Sequence, residues 1–354
     1  MTRRVVVCLS GGVDSTVSAL LLKQQGFDVC GLTFWFWAFD GYPGAQGISK
    51  CCALDAAAQA ARELGIPHEE IDASDAFATD VLGDYVDRYR RGETPNPCGR
   101  CNRLLRFGLA LQYADQHGFD SVATGHHVQA FRTDAGMTLA RGADPRKDQT
   151  YFLYGLRSAD LERMLFPVGS MSKAEVFEIA RANGLTSAEL PESQDLCFAV
   201  NGQTDYLFRA EDLRPGPILN LEDEELGTHN GLPHYTIGQR RGLGIAADRP
   251  LFVVAIDSSR NALIVGPDEA LFSTDLVAVD TNFVTGHEPE DGMRLEAKIR
   301  YRSPSMPVTY HRIDGRSFRL VFDTPQRAIT PGQLAVLYDG ERLVGGGTIV
   351  SGTS

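Results

Sequence analysis

A short loop near the start of the chain has the residue types and spacing needed to bind an anion. Residues 10–15 read Ser-Gly-Gly-Val-Asp-Ser and lie between an apolar run and an amphipathic segment, the order strand, loop, helix. The glycines let the backbone approach a phosphate closely, while serine hydroxyls and the amides of a helix start donate hydrogen bonds. The chain has no Walker-type Gly-x4-Gly-Lys sequence. Asp14 instead suits a Mg2+ ion that bridges phosphate oxygens, so the loop predicts a nucleotide site.

Three cysteines offer thiol chemistry. Cys98 and Cys101 form a Cys-x-x-Cys sequence on a proline-fixed loop before a predicted helix, and Cys197 follows far along the chain. A free cysteine has a pKa near 8.5 and is only about 3% thiolate near pH 7, so a nucleophile needs a helix N-terminus or a cation beside it. The pattern therefore predicts thiol chemistry or metal binding.

The seven cysteines also bear on the cellular compartment. An odd number in a long chain without an export signal argues against a disulfide framework. Cys8 and Cys30 lie in apolar strands and are expected to be small buried side chains, whereas Cys51 and Cys52 are left unassigned. No apolar run approaches the roughly 20 residues of a membrane helix, so the chain is expected in the cytoplasm.

The elements that must position these groups alternate between strand-like and helix-like segments. This alternation predicts an α/β fold with a doubly wound, Rossmann-like parallel sheet. The predicted strands are 5–9, 29–36 and 121–123, and the predicted helices are 16–25, 53–63 and 103–117. Ligands of such sheets lie at the carboxyl ends of the strands, so residues 10–15, Phe34 and Gly125 are expected to meet around one nucleotide. Phe34 is either an adenine-stacking ring or a core aromatic.

The later part of the chain has a different texture. Short β-type runs are separated by turn dipeptides such as Asp314-Gly315 and Asp339-Gly340. A length of 354 residues, 43% of them hydrophobic, accommodates two or three separate cores. We predict three domains: residues 1–209 as an α/β domain, residues 210–272 as a small β-rich module, and residues 273–354 as a C-terminal β-barrel.

Local charge indicates a nucleic-acid partner despite a net charge of −12. Residues 294–327 contain eight basic residues against three acidic ones, a local balance of +5. Six arginines bracket the Cys-x-x-Cys loop: Arg88, Arg90, Arg91, Arg100, Arg103 and Arg106. A basic face can bind RNA while the acidic remainder discourages indiscriminate binding. The alternative is that these arginines decorate a solvated sheet face.

A series of motifs spans nearly the whole chain: SGGVDS, TPNPCxxCN, ATGHH, RKDQTYFL, LFPVG, ESQDLCF, YTIGQRRGLGI and TPGQ. Through them the chain resembles the bacterial tRNA-uridine 2-sulfurtransferase (2-thiouridylase) family of the ATP-pyrophosphatase (PP-loop) superfamily. The resemblance implies an enzyme that adenylates O2 of the wobble uridine in tRNAs for Glu, Gln and Lys. Sulfur from a cysteine persulfide then replaces that oxygen, giving 2-thiouridine, AMP and pyrophosphate. It further implies ATP and Mg2+ as cofactors and a cysteine desulfurase or sulfur-relay protein as persulfide donor.

The resemblance also assigns roles to individual residues. Cys101 matches the nucleophile and Cys197 the cysteine that receives the persulfide sulfur; attack of the first on the second leaves a disulfide bond. The implied ATP-binding residues are Cys8, Leu9, Ser10, Gly11, Gly12, Val13, Asp14, Ser15, Phe34 and Gly125. The implied target-base loop is Asn96, Pro97 and Cys98, and the implied tRNA contacts are His126, Lys147, Asp148, Gln149, Arg300, Tyr301 and Gln333.

Cys98 departs from many family members, which carry an aspartate there as a proposed acid/base group. The thiol completes a set of three with Cys101 and Cys197. Three thiolates can hold a [4Fe-4S] cluster with one iron open to sulfide, as in other tRNA thiolases of the superfamily. Persulfide–dithiol chemistry is the alternative, and a structural zinc site is a third. An amide-forming adenylating ligase and a non-enzymatic RNA- or metal-binding protein are the rival functions.

Overall fold

The computed structural model describes residues 2–36, 51–191, 195–200 and 202–353, with the side chains of residues 51–54 and 353 outside the description. The question of what the thiols of Cys51 and Cys52 do therefore lies outside the described residues, as does the start of the ESQDLCF motif. Every residue given a site role above lies within them.

The first domain alternates strands and helices. Its elements are β1 (Arg4–Cys8), α1 (Val13–Gln24), β2 (Asp28–Trp35), α2 (Cys51–Leu64), β3 (His68–Asp72), α3 (Ser74–Phe77), α4 (Asp84–Arg90), α5 (Pro97–Cys101), α6 (Phe107–His117), β4 (Ser121–Thr124), β5 (Val128–Thr133), β6 (Gly136–Arg141), α7 (Ser158–Leu161), β7 (Met164–Leu165) and α8 (Lys173–Ala182). Stretches of π-helix join α3 to α4 at Ala78–Gly83 and α5 to α6 at Asn102–Arg106. Short 3-10 helices lie at Thr150–Leu153 and Thr186–Ala188.

A five-stranded parallel sheet in the order β3, β2, β1, β4, β7 forms the centre of this domain. In β1, Val5 pairs with Val29 on one side and with Ser121 on the other. Helices cover both faces: Val5 packs with residues of α1, α2 and α8, whereas Val6 packs with residues of α6. This double cover explains why β1 is a continuous apolar run, and it confirms the predicted doubly wound α/β fold.

The helix predicted at residues 103–117 starts earlier and is irregular. Helix α5, the π stretch and α6 follow one another without a break from Pro97 to His117. Asn96 caps the start and Pro97 occupies the first position, a favoured helix beginning, while Gly118 ends the helix with a φ of +69°. Cys98 and Cys101 therefore lie within the helix, where the sequence placed them on a loop before it.

The remainder of the described chain is β-rich. Its elements are β8 (Gly216–Leu219), β9 (Glu225–His229), β10 (Phe252–Asp257), β11 (Ala262–Gly266), β12 (Phe272–Phe283), β13 (Arg294–Lys298), β14 (Met306–Asp314), β15 (Ser317–Arg327), β16 (Leu334–Asp339), β17 (Arg342–Thr353), and 3-10 helices at Asp205–Leu207, Leu232–His234 and Asp268–Leu271. Strands β10, β11, β8 and β9 form a small sheet. The next six strands close an antiparallel barrel in the order β12, β15, β14, β13, β16, β17, because β17 pairs back with β12. The predicted β-rich module and C-terminal barrel are confirmed.

The barrel is joined to the first domain by a shared sheet and a shared core. Arg342 of β17 pairs with Ala140 of β6, and Leu139 and Leu343 lie in one cluster with Tyr151. The division at residues 209/210 and 272/273 stays a prediction; β12 begins at the second of these limits. Within the described ranges, no helix combines the length and the apolar character needed to cross a membrane.

Candidate active site

The loop between β1 and α1 is shaped to receive an anion. No side chain caps the start of α1, so the first amide groups of this 12-residue helix stay open. The Ser10 N–H donates to Ser15 Oγ at 3.2 Å, and Ser15 Oγ donates to the Gly12 carbonyl at 3.0 Å. Gly11 has a φ of +76°, and a Cβ there would lie 2.5 Å from Ala56 Cβ, so glycine is required. The adjacent side chains of Cys8, Leu9 and Val13 are buried in the core.

A lysine from the far end of the first domain reaches this loop. Lys173 Nζ lies 2.7 Å from both carboxylate oxygens of Asp14, and His127 Nε2 lies 3.0 Å from Asp14 Oδ1. Lys173 is the first residue of α8, which begins with a capping box made by Ser172 and Glu175. Burial raises the pKa of Asp14, but hydrogen bonds from His127 and Lys173 outweigh it, and the pKa is lowered overall. The loop thus gains the cation that its own sequence lacks.

The loop after β4 closes against the phosphate loop. A Cβ at Gly125 would lie 2.6 Å from the Ser15 nitrogen and 2.7 Å from the Asp14 carbonyl carbon, so the two loops are in backbone contact. The structure therefore brings Gly125 to residues 10–15, as the carboxyl ends of parallel strands require.

We expect Gly125→Ala to weaken ATP binding at least about tenfold, a free-energy change of about 1.4 kcal/mol. The new methyl group would overlap the backbone of Ser15 and force the two loops apart. Gly108→Ala is the matched control, because nothing lies within 4 Å of a Cβ at that helical position. Titration calorimetry with ATP measures both variants. Wild-type affinity in Gly125→Ala would contradict the close approach of the loops.

Phe34 and His126 lie beside this junction. Phe34 is half-buried near the end of β2 and stacks on Phe36 with ring centroids 5.6 Å apart. The His126 ring lies 5.7 Å from the ring of Phe107, on the helix that carries the first two thiols. Burial and then the charge of Arg106 lower the pKa of His126 to about 3, so its imidazole is neutral at physiological pH. Adenine stacking by Phe34 and tRNA contact by His126 stay predictions.

All three domains hold the target-base loop. Asn96 Oδ1 accepts a backbone N–H of α5 at 3.0 Å, and Pro97 begins that helix. Two residues earlier, the Thr94 hydroxyl donates to Thr236 of the small module at 3.2 Å. The Thr94 carbonyl accepts Gln333 Nε2 of the barrel at 2.9 Å. Gln333, implied as a tRNA contact, therefore also positions the loop.

The three candidate thiols lie around the start of one helix. Cys98 and Cys197 are exposed to solvent, while Cys101 is buried. The charges of Cys197 and Cys101 both act on Cys98, so the three lie within electrostatic reach of one another. Solvent reaches Cys98 and Cys197, but the surrounding protein removes much of the hydration of their thiols. This desolvation raises the pKa of Cys98 to about 12 and that of Cys197 to about 11. Burial also raises the pKa of Cys101, and the charge of Arg106 opposes the rise.

The thiols do not form a metal centre in this structure. Within the described ranges, no three cysteine, histidine, aspartate or glutamate side chains are grouped closely enough to hold a metal ion. The five described cysteines are free thiols. A [4Fe-4S] cluster held by Cys98, Cys101 and Cys197 stays a prediction.

The segment implied to contact tRNA at residues 147–149 supports the loop after β4. Asp148 is buried and accepts the Thr150 hydroxyl at 2.9 Å. Gln149 Oε1 accepts the His127 N–H at 2.9 Å, and Lys147 is half-buried. These contacts give Asp148 and Gln149 positioning roles, and their contact with tRNA stays a prediction.

Arg300 and Tyr301 are engaged within the protein in a similar way. Arg300 donates to the Ala328 carbonyl at 2.6 Å and to Thr330 Oγ1 at 2.9 Å. The Tyr301 ring packs on Phe152 with ring centroids 4.4 Å apart. Both residues stabilise the barrel beside the first domain, and their role as tRNA contacts also stays a prediction.

Half of the basic residues expected to form a face at residues 294–327 are paired with acidic residues. Four of its arginines form ion pairs: Arg294 with Asp323, Arg312 with Glu288, Arg319 with Asp275, and Arg327 with Asp268. Three of those carboxylates lie outside the counted segment, so the balance of +5 overstates the positive charge available to RNA. Arg240 and Arg241 of the small module are exposed and have no ion-pair partner among the described residues. They are better placed to bind phosphates.

A cavity of about 240 Å³ lies between the first domain and the barrel, behind the target-base loop. Asn96, Arg103, Tyr154 and Asp280 are among the residues that line it, and Arg103 pairs with Asp280 at 2.9 Å. Cys98, Cys101 and Cys197 are not among the residues that line it.

Family models match three consecutive parts of the chain. They describe a tRNA methyl transferase HUP domain at residues 3–201, a tRNA methyl transferase PRC-barrel domain at residues 204–267, and an aminomethyltransferase β-barrel domain at residues 273–349. Together with the phosphate loop and the sheet, they define an enzyme of the PP-loop type that carries two β-rich domains.

Relatives match along almost the full length. Proteins named tRNA-specific 2-thiouridylase MnmA are 45% identical in Moorella thermoacetica, over 98% of this chain and 99% of the relative, and 43% identical in Roseiflexus castenholzii, over 98% and 99%. The protein of that name from Trichormus variabilis is 42% identical over 98% of both chains. The chain belongs to the tRNA-specific 2-thiouridylase family.

Proposed function

We propose that this chain is an ATP-dependent sulfurtransferase that converts the wobble uridine of tRNAs for Glu, Gln and Lys into 2-thiouridine. The observation that supports this most is the proximity of the phosphate loop and the thiols at one end of the sheet. Phe107, on the helix of Cys98 and Cys101, packs on His126, and the preceding Gly125 contacts the phosphate loop. This proximity supports a reaction between an activated carbonyl and a sulfur nucleophile.

Adenylation is assigned to the phosphate loop. The open amides of α1 and the Lys173 ammonium would hold the phosphates of ATP. Asp14 Oδ2 accepts a hydrogen bond from Lys173 alone among the described residues, which leaves a lone pair for Mg2+. Bound Mg2+ would stabilise the negative charge of the departing pyrophosphate. Transfer of AMP to O2 of uridine turns a poor leaving group into a good one, because the oxygen departs as part of a phosphate.

Sulfur transfer is assigned to Cys197 and Cys101. The terminal sulfur of a persulfide on Cys197 attacks C2 of the adenylated uridine, the C2–O bond breaks, and AMP leaves with the former O2. The Cys101 thiolate then attacks Sγ of Cys197, and the persulfide S–S bond breaks with its electron pair staying on the sulfur now attached to C2. The remaining Cys101–Cys197 disulfide is reduced by an external thiol before the next turnover. Cysteine desulfurase or a sulfur-relay protein supplies the persulfide sulfur, in the cytoplasm where tRNA is modified.

Cys98 occupies the position next to the target base where many family members carry aspartate. Its pKa is raised to about 12, so near neutral pH it is a protonated thiol that can donate a hydrogen bond. A carboxylate would act at the same place as a base. We therefore assign Cys98 to orienting the target base.

Formation of AMP that depends on tRNA tests the proposed function. We expect release of AMP and pyrophosphate to rise at least about tenfold when tRNA with an unmodified wobble uridine is added. A tRNA whose wobble base is not uridine is the control and should have little effect. An amide-forming ligase would make AMP regardless of tRNA, and a protein that only binds RNA or metal would make none.

Binding of tRNA should fall steeply with salt, and Arg240 and Arg241 should contribute to the slope. We expect the double change to alanine to flatten the plot of log affinity against log salt by roughly 0.7–0.9 for each phosphate that is no longer neutralised. Arg260→Ala is the control, because that exposed arginine of the same module is already paired with Asp257 and Asp223. Filter binding at several salt concentrations measures both. An unchanged slope in the double variant would place the RNA elsewhere.

A further inference from the structure

The π-helical turn at Asn102–Arg106 changes which residues share a face with Cys101. In a regular α-helix, residues five apart are about 140° apart around the axis. Hydrogen bonds that span five residues widen the turn and bring residue 106 back towards the face of residue 101. Such turns occur often at functional sites, and this one lies directly after the thiol helix α5.

Arg106 lacks the carboxylate partner that its neighbours have. The other arginines around the Cys-x-x-Cys loop form ion pairs: Arg88 with Asp84 and Glu93, Arg90 with Asp212, Arg91 with Glu93, Arg100 with Asp84, and Arg103 with Asp280. Among the described residues, Arg106 forms none. Its guanidinium lies 5.3 Å from the centre of the Phe36 ring, and its Nε is buried without a hydrogen-bond partner. A buried cation is costly unless an anion or a ligand meets it.

The groups around Arg106 are thiols. Cys101, Cys8, Cys197 and Cys98 all act on its charge, and the imidazole of His126, on which Arg106 acts, is neutral at physiological pH. Sulfur becomes anionic at two points of the proposed reaction, when Cys197 carries a persulfide and when Cys101 attacks as a thiolate. The positive charge of Arg106 can therefore stabilise each of these two sulfur anions.

We propose that Arg106 is a further catalytic residue, whose guanidinium stabilises the anionic sulfur of Cys101 and of the Cys197 persulfide during sulfur transfer. The inference rests on the proposed function for its place in the reaction. In the transfer step, Cys101 gives its proton to water, and the resulting thiolate attacks Sγ of Cys197, whose bond to the transferred sulfur breaks. Arg106 keeps its own protons and lowers the energy of the charge that develops on sulfur. The π turn is the structural device that aims it there.

Alkylation of the thiols tests this inference without any turnover. Reaction of Cys197 with iodoacetamide is followed across pH, residue by residue, by mass spectrometry. We expect Arg106→Met to slow alkylation at a fixed pH by about threefold to tenfold and to move the profile to higher pH, since one pKa unit is tenfold in thiolate. Arg106→Lys keeps the charge and should restore most of the reactivity. Arg103→Met is the control, because Arg103 pairs with Asp280. In this variant the pH dependence of Cys197 alkylation should match that of the wild type.

A second measurement uses the wild-type protein, so that the test survives if the variants fail to fold. The quantity measured is the ratio of the rate with anionic iodoacetate to the rate with neutral iodoacetamide. Because a cation lies nearby, this ratio should be higher for Cys197 than for a cysteine in an unstructured peptide. A ratio at or below that of the peptide would overturn the inference, as would a folded Arg106→Met with the wild-type profile.

If Arg106→Met loses ATP binding while the pH dependence of Cys197 alkylation is unchanged, Arg106 binds a phosphate instead. Absence of 2-thiouridine formation by the wild type would refute the proposed function separately.

Discussion

Replacement of Cys197 by serine will leave tRNA-dependent AMP formation intact and will abolish 2-thiouridine. A hydroxyl cannot carry a persulfide sulfur, whereas the phosphate loop that performs adenylation does not contain this residue. Loss of an essential nucleophile typically costs a factor on the order of 10⁴ or more. Nucleoside analysis of the tRNA by mass spectrometry measures the thiolated product, and release of labelled AMP measures adenylation in the same reaction.

Cys30→Ser is the matched control for this prediction. Cys30 is a buried thiol of β2 that donates to the Gly31 carbonyl at 3.5 Å, and a serine hydroxyl can replace that bond. We expect this variant to make 2-thiouridine. Normal thiolation by Cys197→Ser would refute the persulfide role, and loss of AMP formation in that variant would show that the two half-reactions are not separate.

Asp14→Asn and Lys173→Met will each reduce adenylation about 100-fold or more. Asp14→Asn removes the negative charge that holds Lys173 and would bind Mg2+. Lys173→Met removes the positive charge that would stabilise the departing pyrophosphate. Asp28→Asn is the control, since Asp28 is an exposed aspartate paired with Arg4 at the opposite end of the sheet. Pyrophosphate release with tRNA present measures all three. Wild-type rates in Asp14→Asn or Lys173→Met would remove the phosphate loop from the mechanism.

The pH dependence of this pair follows from the lowered pKa of Asp14. Because the folded-state pKa lies below the unfolded value of about 3.9, the stabilisation is fully present above that value. It is lost as the pH falls through the folded-state pKa. The Asp14–Lys173 pair should therefore hold throughout the neutral range.

Local sequence was sufficient for β1 and the phosphate loop, but not for the start of the thiol helix. The apolar run of β1 and the glycines of the loop each predict a local conformation, and the sheet topology then brings Gly125 to the loop. The two prolines before Cys98 indicated a loop, whereas Pro97 begins α5. Lys173 was missed because its capping box signals only a helix start. Nothing near it indicates that this start packs on a loop 159 residues earlier.

Charge was the least reliable signal in the sequence. Arg319 and Arg327 add to a local count, yet their partners Asp275 and Asp268 come from β12 and the 3-10 helix before it, outside the counted segment. Arg106 was counted with the arginines around the Cys-x-x-Cys loop as part of an RNA-binding surface. The irregular helix has no recognisable local pattern, and it places the charge of Arg106 within electrostatic reach of the thiols.

The most direct test of the central claim is the balance between AMP released and 2-thiouridine formed. Wild-type protein is incubated with ATP, Mg2+, tRNA carrying an unmodified wobble uridine, a thiol reductant and a persulfide-loaded donor, and both products are counted in the same sample. The proposed function predicts equal amounts of AMP and 2-thiouridine, and neither product without ATP. Formation of AMP with no sulfur in the tRNA, or 2-thiouridine formed without ATP, would contradict it.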